Sequence, residues 1–142
     1  MEEIELAPFE KDFIALIDAI CSSCYEASRS KGFWSDHDEV LNILRAVSNQ
    51  DLKERLLKAA DNAFMSQKRD LMHSEMGEQT EAARKDLPSD KLPGFTGEEE
   101  EMADLFIRGF DYAKRKKLRL GLAIVLKMRY NAGREYMHGK AF

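Results

Sequence analysis

Four acidic side chains stand at spacings that suit chemistry. Glu75 and Glu78 are three residues apart, and so are Glu101 and Asp104. Residues three apart share one face of a helix. The stretches that carry the pairs are joined by one loop, residues 86–97, and such a connection makes the two helices antiparallel neighbours. The pairs then face each other across a groove. Four carboxylates so placed repel unless a cation sits between them, and hard oxygen donors suit Mg²⁺, with Mn²⁺ as a substitute. Each Glu-x-x-Glu or Glu-x-x-Asp step is weak alone, because such steps arise by chance in a chain that is 34% charged. Their pairing across one loop is the stronger observation. Glu98, Glu99 and Glu100 read as a solvated face.

The elements that must position these acids are all helical. After Pro8, the residues Phe9, Phe13, Ile17, Ile20 and Cys24 recur at three- and four-residue steps, one stripe of a helix ending near Ser30. Asp36 or Asp38 can cap a short helix carrying Val40, Leu41, Ile43, Leu44 and Val47, and Ser48-Asn49-Gln50 breaks it. A long helix is expected from about Asp51 to about Lys85. Leu52, Leu56, Ala60 and Phe64 continue as Leu71, Glu75, Glu78 and Ala82, with a possible break at Met65-Ser66 where the stripe drifts. Proline and glycine make 86–97 a loop. The next helix starts at Gly97 or Glu98 with acids in its first turn and ends on Arg115-Lys116-Lys117, as the helix dipole prefers. It carries Met102, Leu105, Phe106, Phe110 and Ala113. A last helix is expected over Leu118–Arg134, before a polar tail. No period-2 alternation and no hairpin turn is present. The fold class is all-α, a four- to five-helix bundle in one domain, 1–142.

Bulk properties exclude several classes. With 142 residues, 44% of them hydrophobic, the chain can bury a core and is not a disordered acidic segment. The net charge of −4 argues against a polymeric nucleic acid partner, though not against a single nucleotide. The acidic start has no basic, then apolar, signal pattern. No apolar run approaches the roughly 18 residues of a membrane span, so a cytoplasmic setting is expected. Cys21 and Cys24 read as two reduced, half-buried thiols of a helix face, since neither a redox motif's strand nor further zinc ligands accompany them.

The second half resembles the MazG-like nucleotide pyrophosphohydrolases of the all-α NTP pyrophosphatase superfamily. Ser74-Glu75-Met76-Gly77-Glu78-Gln79-Thr80-Glu81-Ala82 is similar to that family's first acidic helix. Leu92 through Arg108 (LPGFTGEEEEMADLFIR) is similar to its loop and second acidic helix, and Lys127 through Arg134 (KMRYNAGR), followed by His138-Gly139-Lys140, to its closing segment. Lys31-Gly32-Phe33-Trp34 resembles a turn after the family's first helix. The likeness is close over 70–142 and loose over 9–34. Two departures stand out. Ser74 lies where many members carry a further acid, and residues 36–65 are longer than the usual link.

The resemblance implies Mg²⁺-dependent hydrolysis of a (deoxy)nucleoside triphosphate to the monophosphate and pyrophosphate. Glu75, Glu78, Glu101 and Asp104 would be metal ligands, with Glu75 and Glu78 acting on the attacking water. Lys127, Arg134 and Arg108 would meet phosphate oxygens, Asn131 a base or sugar edge, and Trp34 would stack on the base. A homodimer or homotetramer is expected. Plainer roles stand beside these: Lys127 and Arg134 as surface charges, Trp34 and Tyr130 as core, His73 as a packing residue, His138 as a contact of the tail. Two other functions remain open. One is a helical protein-interaction module with the acids as a solvated face. The other is a related phosphoribosyl-ATP pyrophosphohydrolase.

Overall fold

The computed structural model of the chain describes residues 4–134 and holds five α-helices: α1 Pro8–Ser30, α2 Ser35–Arg45, α3 Gln50–Lys85, α4 Gly97–Arg115 and α5 Leu120–Ala132. Extended pairing among the described residues is confined to one isolated bridge between Pro88 and Thr96, inside the α3–α4 loop. None of the described helices is long and apolar enough to cross a membrane. The all-α expectation therefore holds. The packing runs α5–α1–α4–α3–α2, each helix lying mainly on the next in that series.

Local chemistry explains the helix ends. Pro8 occupies the first turn of α1, where its missing N–H costs nothing. Glu10 reaches back to accept the Ala7 N–H at 2.8 Å. The expected cap of α2 is corrected. Trp34 is its N-cap without a side-chain bond, and Asp36 and Asp38 lie within the first turn, where they favour the dipole instead. Asn49 caps α3 by accepting the Leu52 N–H at 2.9 Å. Asp86 closes that helix in the left-handed conformation, φ 50°. Thr96 and Glu99 form a reciprocal capping box on α4. The last helix is shorter than expected. It stops at Ala132 with Gly133 as C-cap, so Arg134 lies beyond it rather than on its face.

No break interrupts α3. Its inward face follows Met65, Lys68, Met72, Glu75, Gln79 and Ala82, steps of three and four that keep one side of a continuous helix buried or half-buried. Met65 is fully enclosed at the point where the sequence stripe had seemed to drift. Leu52 and Leu71, expected inside, are exposed. In α1 the core runs through Ile17 and Cys21, with Phe13, Phe110, Leu120 and Ala113 against them. Phe9 is exposed because Glu10 takes the inward position next to it. Met102 and Phe106 of α4 are likewise exposed.

The register of α3 against α4 is antiparallel, as paired residues show: Ala82 beside Gly97, Gln79 bonded to Glu98, Glu75 to Arg108 and Arg69 to Tyr112. Two glycines permit close approach of helices. A Cβ on Gly97 would stand 3.1 Å from the Ala82 Cβ, and one on Gly121 would stand 3.0 Å from the Ile14 Cα. Gly77, in contrast, has open space around it. Gly121→Ala is expected to lower stability by about 1–3 kcal/mol through overpacking of α5 on α1. Gly77→Ala should raise it by about 0.5–1 kcal/mol through helix propensity. Urea unfolding of both variants checks the opposite signs.

Candidate metal centre

Three of the four expected acids converge. One carboxylate oxygen from each of Glu75, Glu78 and Glu101 lies within 4.8 Å of the others. Glu75 is buried, Glu101 half-buried and Glu78 exposed at the edge. Their meeting follows from the α3–α4 register, because Gly97 lets α4 start close against Ala82 and so places Glu101 beside Glu78. Asp104 is half-buried one turn further on and lies outside that group. Oxygens around a single Mg²⁺ stand about 3–4 Å apart, given bonds of about 2.1 Å. The three carboxylates could hold a divalent ion, and their donor set is of the hard type such ions prefer.

The group is not left uncompensated. Arg108 Nε donates to Glu75 Oε1 at 2.5 Å, so the arginine expected to meet substrate is turned onto the acid instead. Ser74 Oγ donates to Glu78 Oε1 at 3.0 Å and so supports that carboxylate. Glu101 is held above the ordinary carboxylate range, first by burial, then by the charge of Glu78, with a hydrogen bond to Glu75 adding and Lys91 opposing.

The other expected residues lie elsewhere. Trp34 is core, not a stacking platform. Only 1% of it is exposed. Its Nε1–H donates to Asp111 Oδ1 at 2.8 Å, and Lys68 and Arg115 lie over its ring at 4.3 and 4.9 Å. Lys127, Asn131 and Arg134 are exposed on or just past α5, which packs on α1. Lys127 and Arg134 both stand by the ring of Tyr130, itself exposed rather than core. No hydrogen bond or ion pair among the described residues joins these three to the acids. His73 is exposed. His138 lies outside the described residues.

Three buried acids escaped the sequence reading, among them Glu10 of α1, which Arg129 of α5 meets. Glu100, taken for solvated face, is buried under the loop, with Lys91 Nζ at 2.5 Å and Ser89 Oγ also bonded to it. These partners hold its carboxyl below the ordinary range. Asp111 accepts from Trp34 and, at 2.9 Å, from Ser28 Oγ, tying α4 to the end of α1 and the start of α2. Burial pushes its carboxyl up. A signal was available: Glu100, Asp104, Arg108, Asp111 and Arg115 follow one another at core spacing along α4. Cys21 and Cys24 are free thiols, both raised by burial above the usual thiol range.

The chain matches no protein-family model, no curated protein and no solved structure. The family likeness accordingly rests on the sequence motifs alone.

Glu101 offers a pH test. Its folded carboxyl holds a proton more tightly than the unfolded one, so stability is greatest below the unfolded pKa and declines as pH rises through the folded value. At neutral pH the full cost of ionisation is present. In chelator, Glu101→Gln should therefore melt higher than the native chain at pH 7, with the difference fading below about pH 4. Calorimetric scans across that range measure it. A glutamine variant no more stable at pH 7 would contradict the assigned strain.

Proposed function

We propose that the chain is a divalent-metal-dependent pyrophosphohydrolase that cleaves a (deoxy)nucleoside triphosphate between the α- and β-phosphates. The observation that carries this reading is the convergence of Glu75, Glu78 and Glu101 from two helices to within 4.8 Å. Mg²⁺ held there would neutralise phosphate charge and lower the pKa of a bound water. The chain's own groups supply the rest. Glu75, fixed by burial, and Glu78, at the open edge, orient the attacking water and accept its proton. Asp104, one turn along α4, completes the acidic set after a small closure of the groove.

A cleft of about 570 Å³ adjoins the group, lined in part by Gly77, Glu78, Glu81, Pro88, Asp90 and Glu101. Its size suits a nucleotide. Its acidity means that a bare triphosphate is repelled and a metal-complexed one is not. Arg108, 40% exposed, can turn from Glu75 to a phosphate oxygen once a cation takes over that carboxylate's charge. Lys127, Asn131 and Arg134 then act from another copy, in a homodimer or homotetramer that brings α5 of one chain beside the acids of the next. The exposed Phe9, Leu16, Phe106, Met128 and Tyr130 support such assembly. The free thiols fit a cytoplasmic setting.

The Glu75–Arg108 pair favours a second reading, because an acid already compensated needs no metal. In that case the chain is a helical interaction module, and Mg²⁺ leaves its melting temperature unchanged. Under the enzymatic reading Mg²⁺ or Mn²⁺ stabilises it by mass action. The deciding assay is turnover of the eight common (d)NTPs with Mg²⁺, scored by product. Pyrophosphate is expected and orthophosphate is not, with Glu78→Gln or Glu75→Gln reducing the rate at least about 100-fold while far-UV dichroism is kept. Absence of turnover on every nucleotide, together with an unshifted melting temperature, would sink the proposal. Light scattering on the native chain should report a dimer or tetramer.

A further inference from the structure

We infer that the cleft between α1, α2 and the α4–α5 connection is a second ligand site, one that takes the polyphosphate group of a phosphorylated small molecule. This cleft, of about 880 Å³, is larger than the one beside the acids and has the opposite charge. Five cations line it: Arg45 from α2, Lys114 and Arg115 from α4, and Lys117 and Arg119 from the connection. Only Asp18 and Asp38 oppose them there, and Asp38 is already engaged by Arg115 at 2.5 Å. In a chain whose net charge is −4, this is a local concentration of positive charge and not a sample of the average surface.

The cations differ in how committed they are. Arg115 is bound to Asp38 and to the Tyr25 hydroxyl, and Lys114 to Ser22 Oγ at 2.8 Å. Among the described residues the Arg45 side chain has only its helix neighbour Asn42. The side chains of Lys117 and Arg119 make no hydrogen bond or ion pair among the described residues. Lys117 adopts the left-handed backbone, φ 54°, which turns the chain sharply between α4 and α5 and gathers these side chains around one opening. Several like charges at one opening repel each other, and a multivalent anion relieves that repulsion. Arginine forks match phosphate oxygens in particular.

The rest of the wall is apolar. Ile14, Cys21, Leu118 and Leu122 line it beside Tyr25, so an organic group attached to the phosphates has a surface to cover. Volume and concavity suit a small ligand. A polymer of phosphates is disfavoured by the acidic remainder of the molecule. This site does not depend on the α3–α4 acids, and it should bind without a divalent ion, where the acidic cleft requires one.

The experiment is calorimetric titration of the full chain with inorganic tripolyphosphate in chelator at low salt. Binding of one anion per chain is expected, weakening as salt rises. The double variant Lys117→Gln, Arg119→Gln changes two exposed side chains and should keep its melting temperature while losing affinity at least about tenfold. Glu78→Gln should bind as the native chain does, which separates this site from the acidic one. ATP in chelator should bind at least as tightly as tripolyphosphate. No detectable heat, binding that survives the double variant, binding lost in Glu78→Gln, or failure of ATP to bind would each overturn the inference.

Discussion

Among the described residues, four carboxylates leave water when this chain folds, and each is compensated across a boundary between elements. Glu10 of α1 is met by Arg129 of α5, Glu75 of α3 by Arg108 of α4, Glu100 of α4 by Lys91 and Ser89 of the loop, and Asp111 of α4 by Ser28 and Trp34. Leaving any of them unpartnered would strand a carboxylate that has lost much of its water, which is unfavourable. The buried apolar set among the described residues is small: Ile17, Cys21, Trp34, Met65, Ala82, Ala113 and Val125. Apolar contact alone leaves helices free to slide. Charge compensation at fixed positions does not, so these groups set register where α1 meets α5, where α3 meets α4 and where α4 meets the end of α1.

The acidic centre is one case of that rule and one departure from it. Arg108 satisfies Glu75, yet Glu78 and Glu101 are brought to the same place with one hydroxyl and a raised carboxyl pKa to accommodate them. A purely structural ion pair has no need of two more acids. On the proposed reading, a divalent ion would take the place of Arg108 beside Glu75, and all three acids would then have a use. The Arg108 contact to Glu75 and the Ser74 hydroxyl on Glu78 hold the group as it stands without an added cation.

How much of this was legible in the residues depended on the kind of signal. Helix number, the α3–α4 loop and the meeting of Glu75, Glu78 and Glu101 followed from spacing and from proline and glycine. What misled was inference about which face turns inward. Leu71 and Phe106 are large and apolar, but their neighbours Met72 and Leu105 lie closer to the inward face. Trp34 stands in a turn, yet its ring lies buried among Tyr25 of α1, His37 of α2, Lys68 of α3 and Arg115 of α4. Glu100 and Asp111 were missed because acids on a charged helix read as solvated, and only their partners, distant in sequence, make burial affordable. Asp104 matched a spacing rule that fixes its helix face without fixing how far its oxygen reaches.

The continuity of α3 has a mechanical consequence. A helix of 36 residues is a rod of about 54 Å, and no hinge relieves it at Met65. Near its first half it is gripped by α2, through His37 stacked on Phe64 at 4.7 Å, and nearer its far end it carries Glu75 and Glu78. The α2 contact and the acids therefore sit on one unbroken helix, and α3 lies against α4 as well as α2.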